Sequence, residues 1–184
     1  DRDFVERIFL TAPLHDIGKI AVRDDVLLKP GPLTPAERRE VEKHTLVGEE
    51  ILLQPPKGMQ AFLHWRSGEV PAPVFTDDNL FVHTAAAIAR SHHERWDGTG
   101  YPDGLAGHDI PVEARLVAMA DVYDALCAKR HYKEAVPEDE VHRIIAESAG
   151  TQFDPLIFQA FEKAREAFRE IRHQYADTEA GSPA

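Results

Sequence analysis

The stretch IPVEARLVAMADVYDALCAK, residues 110–129, constrains the fold more than any other part of the chain. Its apolar residues fall on nearly every side of a helix, a pattern that predicts a central helix buried among others. No part of the chain shows the alternation of apolar and polar residues that indicates a half-buried strand. We therefore predict an all-α fold in which other helices pack around residues 110–129.

Helical spacing predicts further helices before this central one. Residues 4–14 have one apolar face, which consists of Val5, Ile8, Phe9 and Leu14. A second helix has a well-marked start, with Thr34 as N-cap, Pro35 at the first helical position and Glu37 completing a capping box. The inner face of that helix is predicted to consist of Val41, His44, Val47 and Ile51. FVHTAAAIARSHHERW, residues 81–96, is expected to be helical as well.

The remaining segments set the limits of the domain. Asp154 and Pro155 have the residue types of an N-cap and a first helical residue, so a last helix should begin there. Its predicted inner face consists of Phe158, Phe161, Phe168 and Ile171. Residues 55–79 are rich in Pro and Gly and are expected to form a long loop inserted in one domain, 1–175, followed by a flexible tail, 176–184. Because the chain begins inside a predicted helix, we also expect that an N-terminal helix of the domain is missing from it.

Composition narrows the classes of partner. The formal net charge of −11 argues against DNA binding and against contact with an anionic membrane, although a local site can still take a small anion. Cys127 is the single cysteine and cannot form an internal disulfide, so a cytoplasmic protein is expected. No apolar run approaches the roughly 20 residues needed to cross a bilayer.

Polar residues on predicted inner faces are the most informative feature for function. Their side chains are imidazoles and carboxylates: His15, Asp16, His44, His92, His93 and Asp121. A buried, unpaired carboxylate is costly, and it usually becomes neutral or meets a cation. One metal cluster would satisfy all six groups. Nitrogen and oxygen ligands without a thiolate suit iron, manganese, zinc, cobalt or nickel, and exclude a structural cysteine–zinc site.

Each of these residues also has a simpler explanation when it is taken alone. His44 fits a hydrogen-bonded core histidine, and Asp121 could pair with Arg115. The dipeptide His108-Asp109 repeats the pair formed by residues 15 and 16, but it lies in a glycine-flanked loop and is assigned no chemistry. The other histidines are interpreted as surface or structural residues: His64, His83, His131, His142 and His173.

The order of several motifs raises the metal interpretation above these alternatives. LHDIGKIAV, KPGPLT, HTLVGEEIL, HHERWDGTGYPDGLAGHDIP, ARLVAMADVYDAL and KRHYKEA follow one another along the chain. This series resembles the HD-GYP family, a branch of the HD superfamily of metal-dependent phosphohydrolases, over roughly residues 5–165. The resemblance implies an HD-domain helical bundle with additional C-terminal helices. It also implies hydrolysis of the bacterial second messenger cyclic di-GMP.

The resemblance further implies a role for each matching residue. His15 and Asp16 would be the HD pair, with the Asp16 carboxylate bridging two metals, and His44, His92, His93 and Asp121 would complete the ligand set. Lys19, Arg130 and Lys133 match positions that approach the substrate phosphates. Gly100, Tyr101 and Pro102 form the GYP turn, which would shape the rim of the site and contact diguanylate cyclase-type signalling domains. A receiver or sensor domain is expected upstream in the same chain.

The chemistry of phosphodiester hydrolysis explains why such a ligand set is needed. Two divalent ions about 3.5–4 Å apart lower the pKa of a bound water and neutralise charge on the phosphoryl oxygens. Iron or manganese is the expected metal, with two ions per chain, or three if an upstream helix adds ligands. The expected products are linear pGpG, GMP, or both. Two alternatives stay open: a catalytically weak domain that binds a cyclic dinucleotide or a protein, and an HD phosphohydrolase that acts on another nucleotide.

Overall fold

The computed structural model describes residues 1–53, 79–127 and 136–179, without the side chains of residues 173 and 175–179. These residues form helices and turns with no strand, in agreement with the predicted all-α fold. The helices are α1 (Arg2–Thr11), α2 (Asp24–Leu27), α3 (Pro35–Glu42), α4 (His44–Leu53), α5 (Leu80–Ser91), α6 (Val112–Cys127), α7 (Glu138–Glu147), α8 (Pro155–Lys163) and α9 (Arg165–Glu179). Short 3₁₀ helices cover Ala12–Leu14, Ile17–Ala21 and Gly107–Asp109.

The central helix α6 packs against two groups of elements. It contacts α5, which in turn packs against α4 and α1, and α4 packs against the 3₁₀ helix Ile17–Ala21. On its other side, α6 contacts α7 and α8. The core on that side is lined by Met119, Tyr123, Cys127, Val141, Ile145, Phe153 and Phe161. The prediction of a buried central helix is thus confirmed.

The capping signals were accurate, but the helices they begin are shorter than predicted. Thr34 accepts a hydrogen bond from the Glu37 amide and the Glu37 side chain accepts one from the Thr34 amide, which completes the capping box. The predicted helix is interrupted at Lys43, between α3 and α4. Ile51, which was predicted to face inward, is half exposed. The predicted last helix is two helices separated at Ala164, and Ile171, which was predicted to face inward, is 54% exposed.

Three further differences concern the two ends of the chain. The helix expected over residues 4–14 ends at Thr11 and gives way to 3₁₀ turns, and Val5 and Phe9 of its predicted inner face are exposed. Helix α7 was not predicted, although its Val141 and Ile145 are fully buried. Helix α9 continues to Glu179, beyond the predicted start of the tail at residue 176, while 180–184 and most of the predicted loop 55–79 lie outside the described residues.

Candidate metal centre

The turn that carries His15 and Asp16 lies unusually close to helix α4. Gly18 makes this approach possible, because a Cβ atom added there would lie 2.0 Å from the His44 carbonyl oxygen and 2.5 Å from the Gly48 nitrogen. Any other side chain would force the two elements apart. The close contact brings the Asp16 carboxylate to within 3.3 Å of His44 Nε2.

Three histidines are oriented in the same way around Asp16. In each, ring Nδ1 lies at hydrogen-bond distance from a backbone carbonyl: His15 to Ala12 at 2.8 Å, His44 to Val41 at 2.6 Å, and His92 to Ile88 at 3.0 Å. A carbonyl oxygen only accepts, so Nδ1 carries the proton and, in the neutral ring, Nε2 is left with a lone pair. These Nε2 atoms face Asp16, at 3.3 Å for His15 and His44 and 3.8 Å for His92.

Burial keeps part of this cluster uncharged. His44 and His92 are only 1% and 2% exposed. Burial, together with the neighbouring His15, lowers the pKa of His92 to about 4, so its ring is neutral at pH 7. Burial also acts to raise the pKa of Asp16, but the close contacts of its carboxylate with His15, His44 and Lys19 outweigh it, and the carboxylate stays ionised. Acceptor atoms therefore converge on one point.

A bound cation would satisfy the buried acceptor atoms of this cluster. Among the described residues, Asp16 Oδ1, His44 Nε2 and His92 Nε2 have no hydrogen-bond partner. An unpaired buried polar atom costs about 1–3 kcal/mol, and here three face one another. Asp16, His44, His92 and His93 each offer a ligand atom within 4.8 Å of the others. This cluster is suited to divalent metal ions.

His15 and Asp121 lie beside this group rather than within it. His15 Nε2 is 3.8 Å from Asp121 Oδ1, which links helix α6 to the turn that carries Asp16. The Asp16 hydrogen bond comes first among the causes that raise the pKa of His15. Burial raises the pKa of Asp121. The alternative interpretation, in which Asp121 pairs with Arg115, does not hold, because Arg115 binds Asp154 at 2.6 Å.

His93 connects the cluster to the turn Gly100–Pro102. Its ring is 4.0 Å from the His92 ring and stacks on Tyr101 at 4.8 Å, and burial together with His92 lowers its pKa to about 3. Gly100 packs on the backbone of residues 93–95, where an added Cβ would lie 2.4 Å from the Arg95 nitrogen. Helix α5 ends at Ser91, so His93 projects from a turn and not from the predicted helix.

Sequence reasoning missed the residues that hold this turn in place. Glu94 is 3% exposed, and its carboxylate accepts hydrogen bonds from the amides of Asp103, Gly104 and Leu105 at 2.7–3.1 Å. Arg90, in the last turn of α5, donates two hydrogen bonds to the Asp103 carboxylate and a third to Glu49. The only signal was the position of Glu94 directly after two candidate ligands.

Of the three residues predicted to contact the substrate, the structure describes one. Lys19 lies at the cluster, with Nζ 2.5 Å from Asp16 Oδ2. Arg130 and Lys133 lie outside the described residues. A cavity of about 330 Å³ opens beside the cluster, and His92, His93, Tyr101 and Asp121 line part of it.

The histidines without an assigned role fall elsewhere. His83 and His108 are not in the cluster, and His142 is a buried structural residue that stacks on Phe161 in the core around Tyr123. His64, His131 and the side chain of His173 lie outside the described residues. No helix among those that the structure describes is long and apolar enough to span a membrane.

Comparison with known proteins gives a consistent group of relatives. A family model described as "HD domain" matches residues 72–157. A probable cyclic di-GMP phosphodiesterase of Vibrio cholerae is 42% identical over 95% of this chain and 36% of its own length. A cyclic di-GMP phosphodiesterase response regulator of Xanthomonas campestris is 42% identical over 96% of this chain and 41% of its own length. A 3'3'-cGAMP-specific phosphodiesterase of V. cholerae is 34% identical over 90% of this chain and 28% of its own length. The chain thus spans well under half the length of these relatives.

Proposed function

The chain belongs to the HD-GYP family of HD domains, and from that premise we propose that it is a metal-dependent phosphodiesterase that hydrolyses cyclic di-GMP to linear pGpG, to GMP, or to both. The observation that carries the proposal is the convergence of unpaired acceptor atoms from Asp16, His44 and His92 at one buried point. The printed names of the cyclic di-GMP phosphodiesterases among the relatives support the substrate.

The proposed ligands are the six residues predicted from the sequence: His15, Asp16, His44, His92, His93 and Asp121. The two Asp16 oxygens face different partners, Oδ1 toward His44 and His92 and Oδ2 toward His15 and Lys19. A carboxylate placed in this way is suited to bridge two ions. Imidazole and carboxylate donors without a thiolate suit iron and manganese, the two metals that we propose. When bound, such ions supply a water of lowered pKa and stabilise charge on the phosphoryl oxygens.

The residues around the cluster have supporting roles in this proposal. The hydrogen bonds from Nδ1 of His15, His44 and His92 fix each ring so that Nε2 points inward, an arrangement that raises ligand basicity. Lys19 holds its ammonium group at the same carboxylate, where it can stabilise or protonate the leaving oxygen. Arg130 and Lys133 would hold the substrate phosphates, the first by paired donors and the second as a point charge.

A substitution at Asp16 tests the proposal against a matched control in the same chain. Asp16→Asn should remove most of the bound metal and abolish hydrolysis of cyclic di-GMP, because it removes the charge and one acceptor of the proposed bridge. Asp109→Asn changes the other His-Asp dipeptide, which lies on the exposed 3₁₀ helix Gly107–Asp109. It should leave metal content and turnover unchanged. Equal effects of the two substitutions, or full activity of Asp16→Asn, would contradict the proposal.

The second candidate function is hydrolysis of a different cyclic dinucleotide. It is favoured by the 34% identity to a relative named as specific for 3'3'-cGAMP. A panel of cyclic di-GMP, 3'3'-cGAMP and cyclic di-AMP, with products separated by chromatography, distinguishes the two. A metal-loaded protein that binds one of these compounds without hydrolysing any would instead support a signalling module.

A further inference from the structure

Two charged side chains of helix α3 line the cavity beside the metal cluster. Arg38 and Glu42 are one helical turn apart, and both contribute to the same cavity wall as His92, His93 and Tyr101. Neither side chain has a hydrogen bond or ion pair within the described ranges 1–53, 79–127 and 136–179. Their charges act on the Tyr101 hydroxyl, whose pKa is raised by burial first and then by Glu42. As far as these described ranges go, both groups are available to a ligand.

Glu42 is the more informative of the two. A site for a phosphodiester has to accept an anion, and a carboxylate in its wall repels one. Glu42 is favourable there only if it meets hydrogen-bond donors of the ligand. Guanine has such donors side by side, at N1 and at the N2 amino group, whereas adenine has an acceptor at N1 and no amino group at C2.

Arg38 complements the same base on another edge. Guanine presents O6 and N7 as adjacent acceptors, and a guanidinium that donates to both is the commonest base-specific contact of arginine. Adenine replaces O6 by an amino group, which repels a donor. Arg95 also lines the cavity, but it is already bound to Thr99 at 3.0 Å and Asp97 at 3.3 Å.

The size of the cavity sets how much of a ligand these residues can contact. Its volume of about 330 Å³ is at the lower end of the range for small-molecule sites, about 300–1,000 Å³. This is room for one nucleotide unit rather than a whole cyclic dinucleotide. One base of the substrate would then lie between α3 and the turn Gly100–Pro102 while its phosphate faces the cluster.

We propose that Arg38 and Glu42 form a guanine-recognition subsite that selects the base of the nucleotide nearest the metal cluster. The proposal rests on the function proposed above, and it names the residues that set substrate specificity at that site. It predicts that the chain distinguishes guanine from adenine dinucleotides through α3.

Binding of mononucleotides tests the subsite without relying on turnover. Calorimetry on the metal-loaded chain should show guanosine 5'-monophosphate binding about ten times more tightly than adenosine 5'-monophosphate, or better. Arg38→Lys keeps the charge but loses the paired donors, and Glu42→Gln keeps the shape but loses the charge. Each should reduce the preference toward unity, with an unchanged thermal midpoint.

Two substitutions on the same helix serve as matched controls. Arg39→Lys and Glu40→Gln change residues that do not line the cavity, and Glu40 pairs with Arg23 at 3.3 Å. Both should keep the wild-type preference. The subsite is wrong if the wild-type chain shows no preference, or if Arg38→Lys and Glu42→Gln both retain it.

Parallel assays with cyclic di-GMP separate this result from the fate of the proposed function. If the wild-type chain prefers guanosine monophosphate through Arg38 and Glu42 but hydrolyses no cyclic dinucleotide, the proposed subsite is supported and the proposed activity is wrong. If the wild-type chain hydrolyses cyclic di-GMP and both variants keep the guanine preference, the proposed activity is supported and the proposed subsite is wrong.

Discussion

At the scale of single residues, the shared orientation of His15, His44 and His92 is the most consequential feature. In all three rings, Nδ1 donates a hydrogen bond to a backbone carbonyl, so the inward orientation of Nε2 is fixed before any ligand binds. The sequence predicted which histidines meet, because their positions follow buried helical residues. It could not predict the tautomer, which depends on carbonyls near the ends of helix α3, helix α5 and the 3₁₀ helix Ala12–Leu14.

Removing one of these rings should lower metal content selectively. His92→Gln eliminates a buried acceptor that has no hydrogen-bond partner among the described residues, whereas His83→Gln changes an exposed histidine of helix α5, which His92 caps. We expect His92→Gln to lose at least one bound ion per chain and His83→Gln to lose none. Elemental analysis after anaerobic reconstitution gives the stoichiometry. Identical metal content in both variants would show that His92 is not a ligand.

At the scale of elements, two close backbone approaches assemble the site. Gly18 lets the turn of Asp16 lie on α4, and Gly100 lets the turn Gly100–Pro102 lie on the backbone after His93. Both glycines were visible in the sequence motifs, but the motifs did not show what each one packs against: Gly18 meets helix α4, and Gly100 meets the backbone of residues 93–95. This is why sequence reasoning identified the motifs without identifying their supports, Glu94 and the Arg90–Asp103 pair.

A methyl group at Gly18 should separate the turn from α4. The added Cβ would lie 2.0 Å from the His44 carbonyl oxygen, so Gly18→Ala should lower the free energy of unfolding by about 1–3 kcal/mol and weaken metal binding. Gly48→Ala is the matched comparison, because the nearest atom to its Cβ would be the Ala89 Cβ at 3.2 Å, and the Gly18 nitrogen would lie at an ordinary contact distance of 3.5 Å. It should cost less in both measurements, urea denaturation and metal affinity. The reverse ranking would contradict the account of the turn.

Glu94 should act as a positioning residue for the turn Gly100–Pro102. Glu94→Gln removes a charged acceptor from three backbone amides, so the turn should lose order and Tyr101 should leave the His93 ring. We expect KM to rise more than kcat falls, with little change in metal content. The His93 ring signals in an NMR spectrum of the metal-free chain should also shift. Glu6→Gln, at an exposed position of α1, should change none of these.

At the scale of the whole molecule, the all-α architecture and the buried central helix followed from composition and helical spacing alone. The breaks at Lys43 and Ala164 did not, since nothing in the local residue types forbids a continuous helix there. Helix α7 was missed for the opposite reason: it has few apolar residues, and those are buried because they pack into one core with residues of α6 and α8. Tertiary packing decides these cases.

The buried histidines should make the metal-free chain sensitive to mild acid. The pKa of His92 is lowered to about 4 and that of His93 to about 3, so both rings are neutral when folded and take up protons on unfolding below pH 6.5. Stability should therefore fall as the pH decreases from 6.5 toward 4, by on the order of 3 kcal/mol for His92. His15, whose pKa is raised, acts in the opposite direction.

Urea denaturation of the metal-free chain at pH 7 and pH 5 measures this loss. His92→Gln removes one of the responsible groups and should reduce the difference between the two pH values, while His83→Gln should not. A stability that is flat across this range, or that rises on acidification, would show that these rings are not buried in the neutral form.

The candidate ligands Asp16, His44, His92 and His93 come from three distant parts of the chain, and this spacing has a kinetic consequence. A bound ion would act as a cross-link that closes long loops, in the manner of a disulfide, yet it can form only after the distant segments have met. Such a late link is absent from the transition state of folding. Metal should therefore leave the refolding rate nearly unchanged and slow the unfolding rate, so that the loaded chain persists mainly because it is slow to come apart.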